Sequence, residues 1–275
     1  MKLTVLVDNN TLIDQYYFGE PGLSFFIEDE DKKILFDMGY SDLFMKNACE
    51  MGISLSDISY VVLSHGHLDH SWGLSHLMES LETRAHKDNK ITFIAHPLAL
   101  CTKTHEGESI GFKYSEEELK RYFNVNLSKS PIWISEKLVY LGQIERTNDF
   151  ENKSSIGITM VENVQEDDFL LDDSALVYKS NNGLVIITGC SHSGICNIIE
   201  YAKKLCSEER ILDIIGGFHL LCPSQSQLIN TQQYLKEINP VAVHACHCTD
   251  LPSKIALSKV VDLQEVGVGL TLEFL

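Results

Sequence analysis

The segment SHGHLDHSWGL, starting at Ser64, places His65, His67, Asp69 and His70 close together along the chain. Three imidazoles and a carboxylate crowded in this way lose hydration together on burial, so the pattern makes physical sense where a cation holds them. Nitrogen and oxygen donors of this borderline hardness suit zinc, iron or manganese. His65 and His67 leave a strand end two residues apart, while Asp69 and His70 fall at a helix start. One pair can therefore grip one ion and the other pair its neighbour. A lone histidine on a polar loop is usually just hydrogen-bonded, but H-x-H-x-D-H directly after an apolar strand is a far more specific arrangement.

The elements that position these residues follow from the hydrophobic pattern. ISYVVLS reads as a buried strand that delivers its end into His65, and a helix is expected from Asp69 through SWGLSHLMESL. Upstream, KLTVLVDN is a strand, and LSFFIEDEDKKILFDMG is a hairpin around an acidic turn. SDLFMKNACEMG carries helical spacing and stops at Gly52. KITFIAH reads as a strand and PLALCTK as a helix begun by proline. From about 103 to 172 the rhythm loosens into polar, glycine- and serine-containing stretches, as in lids and specificity loops. Beyond it, ALVYKSNNGLVIITGC is a hairpin around NNG. GICNIIEYAKKLC and SQSQLINTQQYLKEI read as helices, and ILDIIGG, PVAVHAC and VGVGLTLEFL as strands. Two halves, each a sheet built from hairpins and then covered by helices, predict an α/β fold of the four-layer αβ/βα sandwich type. We expect one domain over residues 1–275, with a loop-rich lid or insert at about 103–172.

Composition narrows the partners. Of 275 residues 44% are hydrophobic, enough for a large core, and 39 acids against 22 bases give a formal charge of −17. Such a surface repels phosphate backbones, so a small-molecule substrate is expected rather than nucleic acid. No apolar stretch approaches the roughly 20 residues of a membrane span. The first segment reads as a strand and not as a secretory signal, which predicts a cytoplasmic protein with no membrane partner. The 8 cysteines, without a CxxC pair, read as free thiols in a reducing compartment. An exposed apolar helix face would allow a homodimer.

SHGHLDH after YVVLS resembles the signature of the metallo-β-lactamase-fold superfamily, whose members are mostly hydrolases with one or two metals. ILFDMG resembles that superfamily's first motif, which implies that Asp37 orients the ligand loop from behind. Members usually carry a third histidine on a later loop and a Gly-Asp strand end whose aspartate bridges two metals. Here the corresponding strand ends ITGCSHSG, so Cys190 stands where that aspartate is expected and His192 follows. The preceding FLLDDSAL offers Asp172 and Asp173 but no histidine. The resemblance thus implies His192 as the third histidine ligand, Cys190 as a nearby thiol able to coordinate, and Asp173 as a supporting or substrate-facing carboxylate. TGCSHSGI, GGFHL and HCTD together are similar to one branch, named for the dihydropterin–ribofuranosylaminobenzene 5′-phosphate synthase of archaea. That similarity implies His247 as the last ligand, beside Asp69 and His70, and His219 as a group that binds substrate or protonates a leaving oxygen.

The remaining candidates carry less. His96 in IAHP ends a strand beside the site, where a substrate contact and a helix-start packing role are both open. His244 reads as a core histidine, and His76, His86 and His105 as surface or packing residues. Alternation along a strand would turn Cys246 and Cys248 away from His247. The implied cofactor is two divalent ions, zinc first, with manganese or iron as alternatives. The implied activity is metal-dependent hydrolysis, in which a metal-bound hydroxide oriented by Asp69 attacks a phosphate ester, cyclic phosphodiester or similar small substrate with a pterin-like body. Two other readings stay open: an iron-dependent oxidoreductase of oxygen or persulfide chemistry, and a non-catalytic metal-binding sensor.

Overall fold

The computed structural model describes residues 1–82 and 90–275, so the expectation for His86 lies outside the described residues. In chain order the first half runs β1 (Lys2–Val7), β2 (Ser24–Asp29), β3 (Lys32–Phe36), α1 (Leu43–Glu50), β4 (Tyr60–Val62), α2 (Leu68–Ser71), α3 (Leu74–Glu82) and β5 (Ile91–Ala95). The middle runs β6 (Thr102–His105), β7 (Glu108–Ser109), α4 (Glu116–Leu119), β8 (Phe123–Leu127), β9 (Ile132–Trp133), β10 (Leu138–Tyr140), β11 (Ile158–Val161) and β12 (Val164–Asp167). The last part runs β13 (Ala175–Ser180), β14 (Gly183–Thr188), α5 (Ile195–Cys206), β15 (Ile211–Gly217), α6 (Gln225–Ile238), β16 (Ala242–Cys246), α7 (Leu251–Leu257) and β17 (Thr271–Glu273).

Two sheets pack face to face. One has the order β17-β1-β2-β3-β4-β5-β8 and the other β16-β15-β14-β13-β10-β9. Alternation along each strand decides which layer a side chain joins. Ile34 and Phe36 of β3 meet Leu176, Val185 and Ile187 of the opposite sheet. Leu35, between them, faces the other way and packs with Phe44 of α1 and Leu74 and Leu77 of α3. On the far side, Val177, Leu184 and Ile186 are covered by Ile195, Ile198, Ile199 and Ala202 of α5 and Leu235 of α6. The result is the expected αβ/βα sandwich, with three apolar clusters between its four layers.

Three local expectations differ. The single helix expected from Asp69 starts one residue earlier and is split into α2 and α3, because the Gly73 N–H turns aside to the Gly39 carbonyl (3.1 Å). PLALCTK is helical only as a 3-10 turn over Pro97–Leu100, and its remainder enters β6. The stretch 103–172 is richer in strands than its polar composition suggests. It supplies β8 to one main sheet and β9 and β10 to the other, and a third, four-stranded sheet of order β12-β11-β6-β7 is built almost wholly from it. Among the described residues no helix is long and apolar enough to cross a membrane.

Candidate metal centre

Both main sheets end their strands on one rim, and the chemistry-bearing residues follow those ends. Asp8 follows β1, Asp37 follows β3, His65 comes three residues after β4, Cys190 two after β14, His219 two after β15, and His247 directly after β16. Several of these positions have left-handed backbone: φ is 57° at Asp37, 59° at Ser191, 48° at His219 and 49° at His247. Non-glycine residues hold that conformation only where surrounding contacts impose it, and such positions cluster at functional sites.

Two groups of histidine and carboxylate donors converge, and a third, of Cys190 with His219 and Cys248, adjoins them. The Nε2 atoms of His65 and His192 lie 3.2 Å apart, and the His67 ring sits with its centroid 4.8 Å from that of His65 and 4.9 Å from that of His192. In the second group, His70 Nε2 lies 3.1 Å from His247 Nε2 and 3.1 Å from Cys190 Sγ, and Asp69 Oδ2 is 3.3 Å from His247 Nε2. Cys190 belongs to both groups: its sulfur stands within 4.8 Å of the donors of His65 and His192 and of those of Asp69, His70 and His247. The structure therefore brings together all six side chains that the sequence nominates as ligands, with the thiol between them.

Hydrogen bonds fix which ring nitrogens face inward. The Ser64 hydroxyl donates to Asp37 Oδ2 (2.6 Å). Its oxygen is then the acceptor for His65 Nδ1 (2.9 Å), which leaves His65 Nε2 as a bare lone pair. Asp37 Oδ2 also receives His70 Nδ1 (2.7 Å), so His70 likewise turns its Nε2 inward. The bare Nε2 of His65 faces that of His192, whose Nδ1 is buried without a partner, and His67 Nε2 is likewise buried and unpartnered, so donor atoms are left over for a cation. These residues fit a divalent metal.

Four buried carboxylates brace the ligand loops from behind, as partners of metal ligands do. Asp37 also accepts the Ser64 N–H (2.7 Å). Asp172 accepts the Gly66 N–H (2.8 Å), and Asp173 the Ser193 N–H (2.8 Å). Asp8 accepts the His247 N–H (2.9 Å), and its neighbour Asn9 meets His247 Nδ1 through Oδ1 (3.0 Å). Asp37 and Asp173, both nominated from the sequence, thus bond to the backbone of the loops that carry the candidate ligands. Asp8 and Asn9 are not legible in the sequence, since VDNN reads as an ordinary strand end. Two further supports escape sequence reasoning: Asn152 Nδ2 donates to the His192 carbonyl (2.8 Å), and Glu151 accepts the N–H groups of Cys196 and Asn197 at the start of α5 (2.9 and 3.0 Å). Gly189 is required here, because a Cβ at that position would stand 2.1 Å from Ser64 Oγ.

The electrostatics differ between the two groups. Burial pushes His65 and His192 well below the usual histidine range, neighbouring imidazoles adding to the effect, and it lowers His67 to about 4. These rings are neutral donors at physiological pH. Burial also works against charge on His70, but Asp69 and Asp37 outweigh it and raise the group to about 9. Asp69 resists burial through His70 and His247, which hold its carboxyl well below the ordinary range. Burial raises Asp173 to about 7 and pushes the Cys190 thiol up, a tendency that a bound cation would reverse.

A cavity of about 520 Å³ opens onto the centre. Its floor includes His67, Asp69, Cys190, His192, His219 and Cys248, and its outer wall Pro21, Tyr40, Ile110, Ile156 and Leu221. Its lining contains no lysine or arginine among the described residues. His219 packs 4.2 Å from the His192 ring, with its Nδ1 buried and unpartnered. Cys248 corrects an expectation: β16 ends at Cys246, so strand alternation no longer applies beyond it. The left-handed turn at His247 brings Cys248 onto the floor, while Cys246 faces the core. His105, at the end of β6, also lines the cavity, and His76 sits at the surface near Glu79 (3.8 Å). Of the two roles open for His96, the structure shows the helix-start one. Its Nδ1 accepts the Leu98 N–H (3.1 Å), and its side chain is absent from the cavity wall. His244 is paired with Asp213 (2.8 Å) in the core, as expected.

Known proteins resemble this chain along most of its length. The sequence model of the metallo-beta-lactamase superfamily matches residues 17–203. An uncharacterized protein of Methanocaldococcus jannaschii is 30% identical over 262 residues, covering 94% of each chain. The 7,8-dihydropterin-6-methyl-4-(beta-D-ribofuranosyl)-aminobenzene-5'-phosphate synthase of the same organism is 29% identical over 262 residues, 90% of this chain and 87% of that one. A crystal structure of a metal-dependent hydrolase of the beta-lactamase superfamily superposes with a TM-score of 0.84 at 28% identity, covering 99% of this chain and 98% of the other.

Proposed function

The chain belongs to the metallo-beta-lactamase superfamily, and on that premise we propose that it is a metal-dependent hydrolase of a small phosphate ester or cyclic phosphodiester. The observation that carries the reading is the convergence of His65, His67 and His192 on one side of Cys190 and of Asp69, His70 and His247 on the other, with His67, Asp69, Cys190 and His192 lining the floor of a cavity. In this reading each group holds one divalent ion, zinc by preference. Bound ions supply an activated water and stabilise charge developing on the attacked phosphoryl group.

The chain's own residues divide the remaining work. Asp69, kept ionised by His70 and His247, presents an oxygen that accepts a hydrogen bond from the attacking water and fixes its direction. His219 stands across the floor and donates a proton to the leaving oxygen. Among the described residues the cavity wall offers no lysine or arginine to a second anionic group, so the substrate carries its charge at the floor end. The rest of its body is apolar or flat, lying among Tyr40, Ile110, Ile156 and Leu221. Similarity to an enzyme whose product contains a dihydropterin and a ribofuranosyl-aminobenzene phosphate supports a pterin-like body.

The test is metal content of protein purified without added metal, together with turnover of bis(p-nitrophenyl) phosphate. About two zinc or manganese ions per chain with turnover supports the reading. A second reading, an iron-dependent oxidoreductase, is favoured by the thiols of Cys190 and Cys248 at the floor. Iron with a visible absorption band and no hydrolysis would put it first, since zinc is redox-silent and colourless.

A further inference from the structure

Lys103 is an unusual residue to bury. It lies on β6 of the small sheet with 1% exposure, and its ammonium donates to Asp168 Oδ2 (2.7 Å) and Asp172 Oδ1 (2.9 Å). Asp172, itself fully buried, uses its other oxygen to accept the N–H of Gly66, the residue between His65 and His67. Gly66 is held from a second direction as well, since a Cβ there would stand 2.2 Å from the Ala99 carbonyl oxygen. A continuous chain of charged hydrogen bonds therefore runs from the small sheet, through Asp172, to the backbone between two metal-ligand candidates. The strand that carries Lys103 also carries His105 into the cavity wall.

Without the ammonium, Asp168 and Asp172 would be two buried carboxylates with no cation between them. Removing one partner of such a buried cluster leaves an uncompensated charge, and the structure moves to relieve it. The Asp172 contact to Gly66 is the one that movement would spoil. The second ligand group does not share this support, because His70 is braced by Asp37, and His247 by Asp8 and Asn9.

We propose that Lys103 is a positioning residue for the His65–His67–His192 ion alone: through Asp172 it fixes the backbone between two of that ion's ligands and ties the small sheet to the metal site. The inference rests on the two-ion reading given above. Its test is chelator competition on zinc-loaded protein, which yields a stoichiometry and an affinity for each ion without any need for turnover. Lys103→Met keeps the length of the side chain and loses the charge. It should leave one ion bound as in the wild type and weaken the other about 10- to 100-fold, the usual consequence of losing a partner behind a metal ligand. Lys103→Arg keeps the charge, and a neighbouring cavity of about 130 Å³ lined by Lys103, Asp168 and Asp172 gives the larger head room, so it should restore binding.

Double variants identify the ion that is lost. Added to His247→Ala, Lys103→Met should abolish tight binding; added to His192→Ala, it should change nothing further. Equal weakening of both ions by Lys103→Met, or wild-type affinity for both, would overturn the proposal. If Lys103→Met does not fold, Asp172→Asn retains an acceptor for Gly66 but not the charge that Lys103 needs. It should weaken the same single ion, and unchanged affinity there would equally overturn the proposal. A wild-type protein that takes up fewer than two ions defeats the two-ion reading itself, a result obtained with no variant at all.

Discussion

At the scale of single residues, the leaving group offers the sharpest probe. If His219 donates a proton to the departing oxygen, its value depends on how badly that oxygen needs one. His219→Ala should cost about 100-fold or more in kcat on an alkyl phosphodiester, whose alkoxide is a poor leaving group, and far less on a p-nitrophenyl ester. Equal losses on both substrates would assign His219 to binding instead. Cys190 gives a second residue-level test, because a thiolate shared between two cobalt ions produces an intense sulfur-to-metal band in the near ultraviolet. Cys190→Ser should remove that band while His65, His67, Asp69, His70, His192 and His247 still bind cobalt; an unchanged spectrum would place the sulfur outside the coordination sphere. How much of this site can be read from the sequence depends on how local each signal is. His65, His67, Asp69 and His70 announce themselves because their spacing alone makes sense as a metal grip. Cys190, His192 and His247 need a family resemblance, since they follow β14 and β16, more than a hundred residues beyond the first cluster. Asp8 and Asn9 give no signal, because their meaning arises only when the end of β1 meets His247, 239 positions away in the chain.

At the scale of elements, period-two alternation carries most of what the sequence says about the fold. Ile34, Leu35 and Phe36 divide between the two faces of β3 by alternation alone, and the sandwich and helix clusters follow that division. Phe36→Ala should therefore destabilise the protein by about 3–5 kcal/mol in urea unfolding, the usual range for emptying a fully buried aromatic site. A loss below about 1 kcal/mol would mean that the two sheets close over the gap. Where alternation fails, the strands are short or exposed. β12 (Val164–Asp167) is exposed at every position and β7 has only two residues, so neither leaves an apolar imprint. The small sheet is specified instead by backbone pairing of β6 with β11 and by the buried Lys103 cluster beneath it. α7 is illegible for a related reason: LPSKIAL buries only Ser253 and Leu257, too little for an amphipathic pattern.

At the scale of the whole molecule, charge decides what the metal centre means for stability. The chain carries a formal −17, and Asp8, Asp37, Asp69, Asp172 and Asp173 all converge on the rim where the sheets end. Lys103 is the one buried ammonium that answers them among the described residues, and it is occupied by Asp168 and Asp172. Divalent ions bound between the histidines would thus offset repulsion that Lys103, His70 and the half-buried Arg146 answer only in part. An ion held at 100 times its dissociation constant stabilises the native state by about 2.7 kcal/mol. For a domain of this size two such ions correspond to a rise in Tm on the order of 10 °C. Chelation should lower Tm by that amount, zinc should restore it, and His192→Ala or His247→Ala should each remove roughly half of the response. The native fold should survive chelation, because the three apolar clusters do not include the ligands. A Tm indifferent to chelation, with metal analysis confirming that the ions have left, would show that the ring of carboxylates and histidines is held by the fold alone, and that the rim is a preformed receptor rather than a metal-dependent element of the structure.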